Sequence, residues 1–220
     1  MLLRILAEDP LVFFIIVVAL AGSLALHELG HALVALWSGD DTAKTAGRVT
    51  LNPFAHLDPF GTLLLLVAGV GWARPVPVNP LKFTNYRVGL FAVSIAGIVV
   101  NLLLALGFGL LIRFLLAVDP PTITAALRGG YISGLGVVAL ALLYATSINI
   151  SLAVFNLLPI PPLDGSKILQ SVLPASFQQL LWQLERYSIV AVVLVLTVLR
   201  EPITRLILWA QGVFLKLMLG

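Results

Sequence analysis

LVFFIIVVALAGSLALHELGHALVALW, residues 11–37, decides the fold. A helix of about 20 apolar residues crosses the hydrocarbon core of a bilayer. This stretch exceeds that length with Glu28 as its sole acid and with no Lys or Arg. It reads as a retained transmembrane helix. A secretory leader is the competing reading, but Glu8 and Asp9 stand where a leader needs positive charge, and the apolar run continues past His31 to Trp37.

The rest of the chain agrees. Of its 220 residues, 60% are hydrophobic and 10% are charged, against about 25% charged in an ordinary soluble domain. Mean hydropathy is +1.08. Lipid must therefore be the solvent for most of this surface. The formal net charge of +3 suits loops that orient a membrane protein. No basic run with interleaved aromatics is present, so nucleic acid is not an expected partner. Cysteine is absent, which excludes disulfides, thiolate metal sites and thiol nucleophiles.

Pro, Gly and charge divide the chain into apolar segments. A polar stretch, residues 38–59, follows the first span. Residues 60–72 are apolar but too short to cross as a helix, and are expected to dip in and return. A basic, Pro-rich loop at 73–87 precedes a long apolar segment at 88–118, which Asp119-Pro120-Pro121 ends. Another runs over 132–158 and stops at NLLPIPPLDG, residues 156–165. Residues 187–199 and 203–219 suggest a closing helical hairpin around Arg200-Glu201-Pro202. The expected fold is an all-α membrane protein. It is a polytopic transmembrane helix bundle with a short re-entrant segment and a small β-hairpin at the membrane. The whole chain, 1–220, is expected to be one integral-membrane domain, with a catalytic core at about 11–170 and the closing hairpin at about 174–220.

Inside the first span lies His27-Glu28-Leu29-Gly30-His31, an H-E-x-x-H pattern. Helical residues four apart are separated by about 40° around the axis and about 6 Å along it. Both imidazoles can therefore reach one zinc ion, while Glu28 reaches a water as general base. Two imidazoles and a carboxylate are costly in an apolar span; a charge at mid-bilayer costs about 2.5–3.5 kcal/mol on insertion scales. Such a cluster marks function. Catalytic zinc takes three protein ligands and keeps one position open. The third could be His56, Asp40, Asp41, Asp58 or Asp164. Chemistry favours Asp164 over His56, because Pro159, Pro161 and Pro162 break the helix beside it, and irregular backbone at membrane depth lines a cavity.

HELGH in a span followed far downstream by NLLPIPPLDG resembles the site-2 protease family of intramembrane zinc metalloproteases. The resemblance implies that Asp164 is the third ligand of one Zn2+ per chain. It implies that Asn156 matches the asparagine preceding that motif, and that Gly97-Ile98-Val99-Val100-Asn101 matches a G-x-x-x-N element, with Ile98 where many members carry proline. Asn101 and Asn156 would then bind substrate or stabilise the transition state. NPFAHLDPFGT (52–62) and GWARPVPVNP (71–80) also look like stretches of short standalone members, and no room is left for a PDZ or CBS module. The implied activity is endopeptidase cleavage of transmembrane segments, with single-span membrane proteins as substrates. The implied location is the prokaryotic cytoplasmic membrane, with the active site toward the cytosol. Arg74, Lys82 and Arg87 in an acid-free loop fit a cytosolic 73–87.

Two other functions compete. A metal-ion transporter would use His27, His31 and an acid as a transient site, but it needs polar groups along a path through both leaflets, and the outer halves of the spans are nearly featureless. A catalytically inactive scaffold that binds membrane proteins leaves Glu28 without a purpose. One further expectation concerns substrate. Residues 46–51, AGRVTL, alternate polar and apolar with β-branched residues. They are expected to form a strand against the site that holds an extended substrate.

Overall fold

A computed structural model describes residues 2–68, 71–130, 134–174, 178 and 197–220. The described residues are mostly helical. Helix α1 (Leu2–Glu8) leads into α2 (Pro10–Trp37), whose first turn is fixed by Pro10 and by the Asp9 carboxylate accepting from Val12 N–H at 3.1 Å. A short α3 (Thr42–Thr45) and a 3-10 turn (Pro53–Ala55) precede α4 (Pro59–Ala68). Asn85 caps α5 (Tyr86–Val118), and Asp119-Pro120 ends it and starts α6 (Pro120–Leu127). Helix α7 (Leu135–Asn156), α8 (Asp164–Val172) and α9 (Arg200–Leu219) follow.

Four of these helices, α2, α5, α7 and α9, are long and apolar enough to cross a membrane. The outward faces of α2 and α5 carry exposed Val18, Leu103, Leu110 and Phe114, which lipid rather than water would cover. Helix α5 lies at the centre and packs against α2, α7 and α8. Close contacts put small residues between backbones, as membrane helices do: a side chain at Gly30 of α2 would meet Val100 of α5 at 2.8 Å. Helix α9 is tied to α7 through Gln211 Nε2, which donates to Ser147 O at 3.0 Å and to Ser151 Oγ at 2.8 Å.

Three sequence expectations change here. No strand occurs among the described residues, so the β-hairpin and the 46–51 strand are not found. Local bonds claim that backbone instead. Ala46 N–H, Gly47 N–H and Arg48 N–H donate to Thr42 O, Lys44 O and Ala43 O, closing α3 with Gly47 at φ +65°. The re-entrant segment is not supported either. Most of the apolar run belongs to the ten-residue α4 (Pro59–Ala68), and the chain on its two sides is joined by an isolated bridge between Leu57 and Ala73 and by Arg74 N–H donating to His56 O at 2.8 Å. Third, the closing hairpin's first arm lies largely outside the described residues. Its expected turn at Arg200-Glu201-Pro202 is the first turn of α9, where proline costs no hydrogen bond.

Candidate metal centre

Helix α2 buries little in its first half beyond Phe13. From Ser23 onward it buries Ala25, His27, Glu28, Gly30, His31, Ala32 and Ala35. The polar groups of the H-E-x-x-H therefore face the bundle. His27, Glu28 and His31 are 4%, 9% and 8% exposed.

Asp164 arrives from the other end of the chain. After α7 the backbone runs through a turn with a cis Pro161–Pro162 bond, and α8 begins at Asp164 itself. Gly165 makes this possible, since a side chain there would lie 2.3 Å from Leu157 O and 2.5 Å from Leu158 O. Glycine lets α8 press against the end of α7, which aims Asp164 at α2. The first turn of a helix also favours a carboxylate.

The three groups converge. His27 Nε2 and His31 Nε2 are 3.1 Å apart, and Asp164 Oδ2 lies 3.3 Å from the first and 3.2 Å from the second. Asp164 Oδ2 is buried with no hydrogen-bond partner. The imidazoles face their other nitrogens elsewhere. His31 Nδ1 is 2.6 Å from Val93 O, and His27 Nδ1 is 2.6 Å from Asn101 Oδ1. A backbone carbonyl only accepts, so His31 donates from Nδ1 and turns a lone pair on Nε2 inward. Inward-facing lone pairs beside a carboxylate repel unless a cation lies between them. Tetrahedral zinc with bonds of about 2.0–2.1 Å separates its ligands by about 3.3 Å, close to the 3.1–3.3 Å found. The donor set of two imidazoles and one carboxylate also suits zinc.

The remaining sequence candidates fall elsewhere. His56 is fully buried, but its Nε2 is 2.9 Å from Thr50 O, within its own loop. Asp40 accepts from Thr42 N–H, Thr42 Oγ and Asn79 N–H. Burial disfavours its charge, yet these bonds and the Lys82 ammonium outweigh that and hold its carboxyl below the usual range. Asp41 pairs with Lys82 at 2.6 Å, and Asp58 caps α4 through Gly61 N–H at 2.7 Å. Asn101 reaches the cluster through His27. Asn156 does not join it, and donates to Leu152 O of its own helix at 3.0 Å.

Gly97 and Asn101 meet the same imidazole. A side chain at Gly97 would overlap the His27 ring, while Asn101, one turn on, bonds its Nδ1. The G-x-x-x-N spacing thus makes room for a histidine and fixes its rotation.

Two features escaped the sequence reading. Glu28 Oε2 accepts from Val76 N–H at 2.9 Å, so the Pro-rich segment crosses α2 beside the motif. Ala32, Ala43 and Val76 form a small core with Val49 that holds it there. Arg48 donates to Arg74 O at 2.7 Å. Burial and Arg74 draw the Arg48 pKa down, and Glu28 opposes them.

Residues 15–199 match the sequence model of peptidase family M50. The chain belongs to peptidase family M50. This is the site-2 protease family that its motifs resemble. Over 195 residues this M50 member is 45% identical to a Bacillus subtilis protein named "Putative zinc metalloprotease YwhC", the match covering 88% of this chain and 84% of that protein. It is 30% identical over 205 residues to a Mycolicibacterium smegmatis protein named "Putative zinc metalloprotease Rip2", with 90% and 73% covered. No solved structure matches significantly.

Proposed function

We propose that this M50 member is an intramembrane zinc endopeptidase that hydrolyses peptide bonds in or near transmembrane segments of other proteins. The observation that carries the reading is the convergence of His27, His31 and Asp164 within 3.3 Å of one another, with both histidines on a helix long and apolar enough to cross a membrane. These three would hold one zinc ion per chain. Bound there, zinc supplies Lewis acidity to the scissile carbonyl and to the attacking water.

Glu28 is the general base. Its Oε2 is engaged by Val76 N–H, which fixes the carboxylate and leaves the other oxygen to take the proton from water. The same carboxyl then gives that proton to the departing amine. Water is consumed, so the site must be wet. The polar loops at 38–58 and 73–87 supply access from one side. That side is the cytosolic face of a prokaryotic cytoplasmic membrane in this reading, because Arg74, Lys82 and Arg87 lie there. Residues 1–220 act as one membrane domain. Asn156, at the end of α7, remains a candidate contact for the substrate backbone.

The test is cleavage of single-span membrane proteins by the purified chain in detergent or liposomes, with cut sites mapped by mass spectrometry. Zinc-dependent cuts in or beside the substrate span support the reading. Cuts confined to soluble regions would refute the intramembrane part of it.

A further inference from the structure

Beyond the candidate ligands, a chain of buried polar side chains runs away from His27 through three helices. Asn101 Nδ2 on α5 donates to Asn149 Oδ1 on α7 at 2.8 Å. Asn149 Nδ2 donates to Ala145 O and to Ser23 Oγ on α2, each at 2.8 Å. Asn101 and Asn149 are fully buried, and Ser23 is 3% exposed. Each group sits on a helix able to cross a membrane, where an unsatisfied polar group is expensive. Ser23 and His27 are also one turn apart on α2. The chain of bonds therefore closes into a loop across α2, α5 and α7.

The polarity of that loop is set at one end. Ala145 O is a backbone carbonyl and can only accept, so the amide nitrogen of Asn149 must face it. The Asn149 oxygen is then turned to Asn101, which must present its own nitrogen there and its oxygen to His27. An oxygen 2.6 Å from His27 Nδ1 requires that this nitrogen carry a proton. The lone pair is left on Nε2, the atom beside Asp164. His31 reaches the same state by one step through Val93 O. His27 reaches it by three steps, from Ala145 O through Asn149 and Asn101.

We propose that Asn149, with Ser23, is a positioning residue for the metal centre: acting through the Asn101 amide, it sets the tautomer and rotation of His27 so that Nε2 faces the ion. This rests on the zinc reading above. Partners of metal-ligating histidines typically change metal affinity by about 10–100-fold when lost. Asn149 acts one residue further out, and its removal frees the Asn101 amide to reverse.

Three histidines in the chain make the test direct. Protein labelled with 15N-histidine is compared, zinc-loaded and zinc-free, as wild type and as Asn149→Leu. The wild type is expected to show hydrogen-bonded Nδ1–H signals from both His27 and His31, with zinc on Nε2. Asn149→Leu should shift or lose the His27 signal alone, leave that of His31, and weaken zinc binding in a chelator competition by about tenfold or more. Asn149→Ser keeps a hydroxyl that bonds its own helix but does not span to Asn101; it should show the same selective change if the leucine variant does not fold. A merely structural role would lower the melting temperature and leave both imidazole signals and the zinc affinity of folded protein unchanged, which overturns the proposal. Zinc bound through His27 Nδ1 in the wild type also overturns it. A wild type that takes up no zinc yet shows the bonded His27 Nδ1–H refutes the metal reading and supports the relay.

Discussion

Gly97 lies against the face of His27 so closely that a methyl group on it would sit 2.4 Å from the ring Cε1. No side chain fits between α5 and that imidazole. Gly97→Ala must push the ring or the helix. Overpacking of this kind costs about 1–3 kcal/mol. The ring is the softer of the two, so we expect zinc affinity to fall by about tenfold or more. Thermal unfolding in detergent should show a smaller, separate loss. Titration with a chromophoric chelator reads the first quantity. An alanine variant that binds zinc as tightly as the parent would show that the ring has room.

Asp164 as the proposed third ligand is distinguishable from its nearest rival. Asp164→Ala removes a donor 3.2–3.3 Å from both imidazoles. His56→Ala removes a ring bonded to Thr50 O inside its own loop. Zinc content of the first variant should drop sharply, and that of the second should stay near one ion per chain. The opposite pattern would move the ligand to His56.

Asp40 links two loops that flank the site, and its contribution depends on pH. Its folded pKa lies below the unfolded value of about 3.9. The stability it gives is therefore complete above that unfolded value and disappears as pH falls through the lowered folded one. Hydrogen bonds to a charged group are worth about 1.5–3 kcal/mol. Asp40→Asn should thus destabilise the protein by about that much at pH 7, and the gap from wild type should narrow below about pH 4. Melting curves across that range check it. A gap that stays constant into acid would mean that Asp40 is not held as a buried carboxylate.

The sidedness of the loops is also open to measurement. The chain has no cysteine, so Leu81→Cys and Ala125→Cys each introduce one reactive thiol, at positions exposed in the structure. An impermeant thiol reagent on intact cells should label Ala125→Cys and spare Leu81→Cys. Labelling of both from outside would reverse the assignment of residues 73–87 to the cytosol.

Residue types in the wrong solvent made the cluster of His27, His31 and Asp164, the candidate metal centre, readable in the sequence. His27, Glu28 and His31 lie at helical spacing inside an apolar span, and Asp164 follows a run of prolines that no helix continues through. The long helices were readable for the same reason, since length and hydropathy suffice to find them. The 46–51 strand failed because alternation is a weak signal beside capping: Gly47 at φ +65° and the carbonyls of Ala43 and Thr42 take the backbone groups that a strand would have needed. Val76 was hidden because it acts through its backbone N–H, which side-chain chemistry does not advertise. Asn149 and Ser23 carried a usable signal. Each is polar in an apolar span, and Ser23 lies one turn before His27.

In the proposed mechanism Glu28 acts on water while His27, His31 and Asp164 hold the ion. The most direct measurement takes one preparation of Glu28→Gln and determines both its zinc content and its cleavage rate on a single-span substrate. Glutamine preserves the shape of the side chain and its capacity to accept from Val76 N–H, and removes only the basic carboxylate. We predict zinc content equal to that of the parent and a cleavage rate lower by about 10²–10⁴-fold, the usual loss on removing a general base. Cleavage at the parental rate with zinc in place would contradict the account.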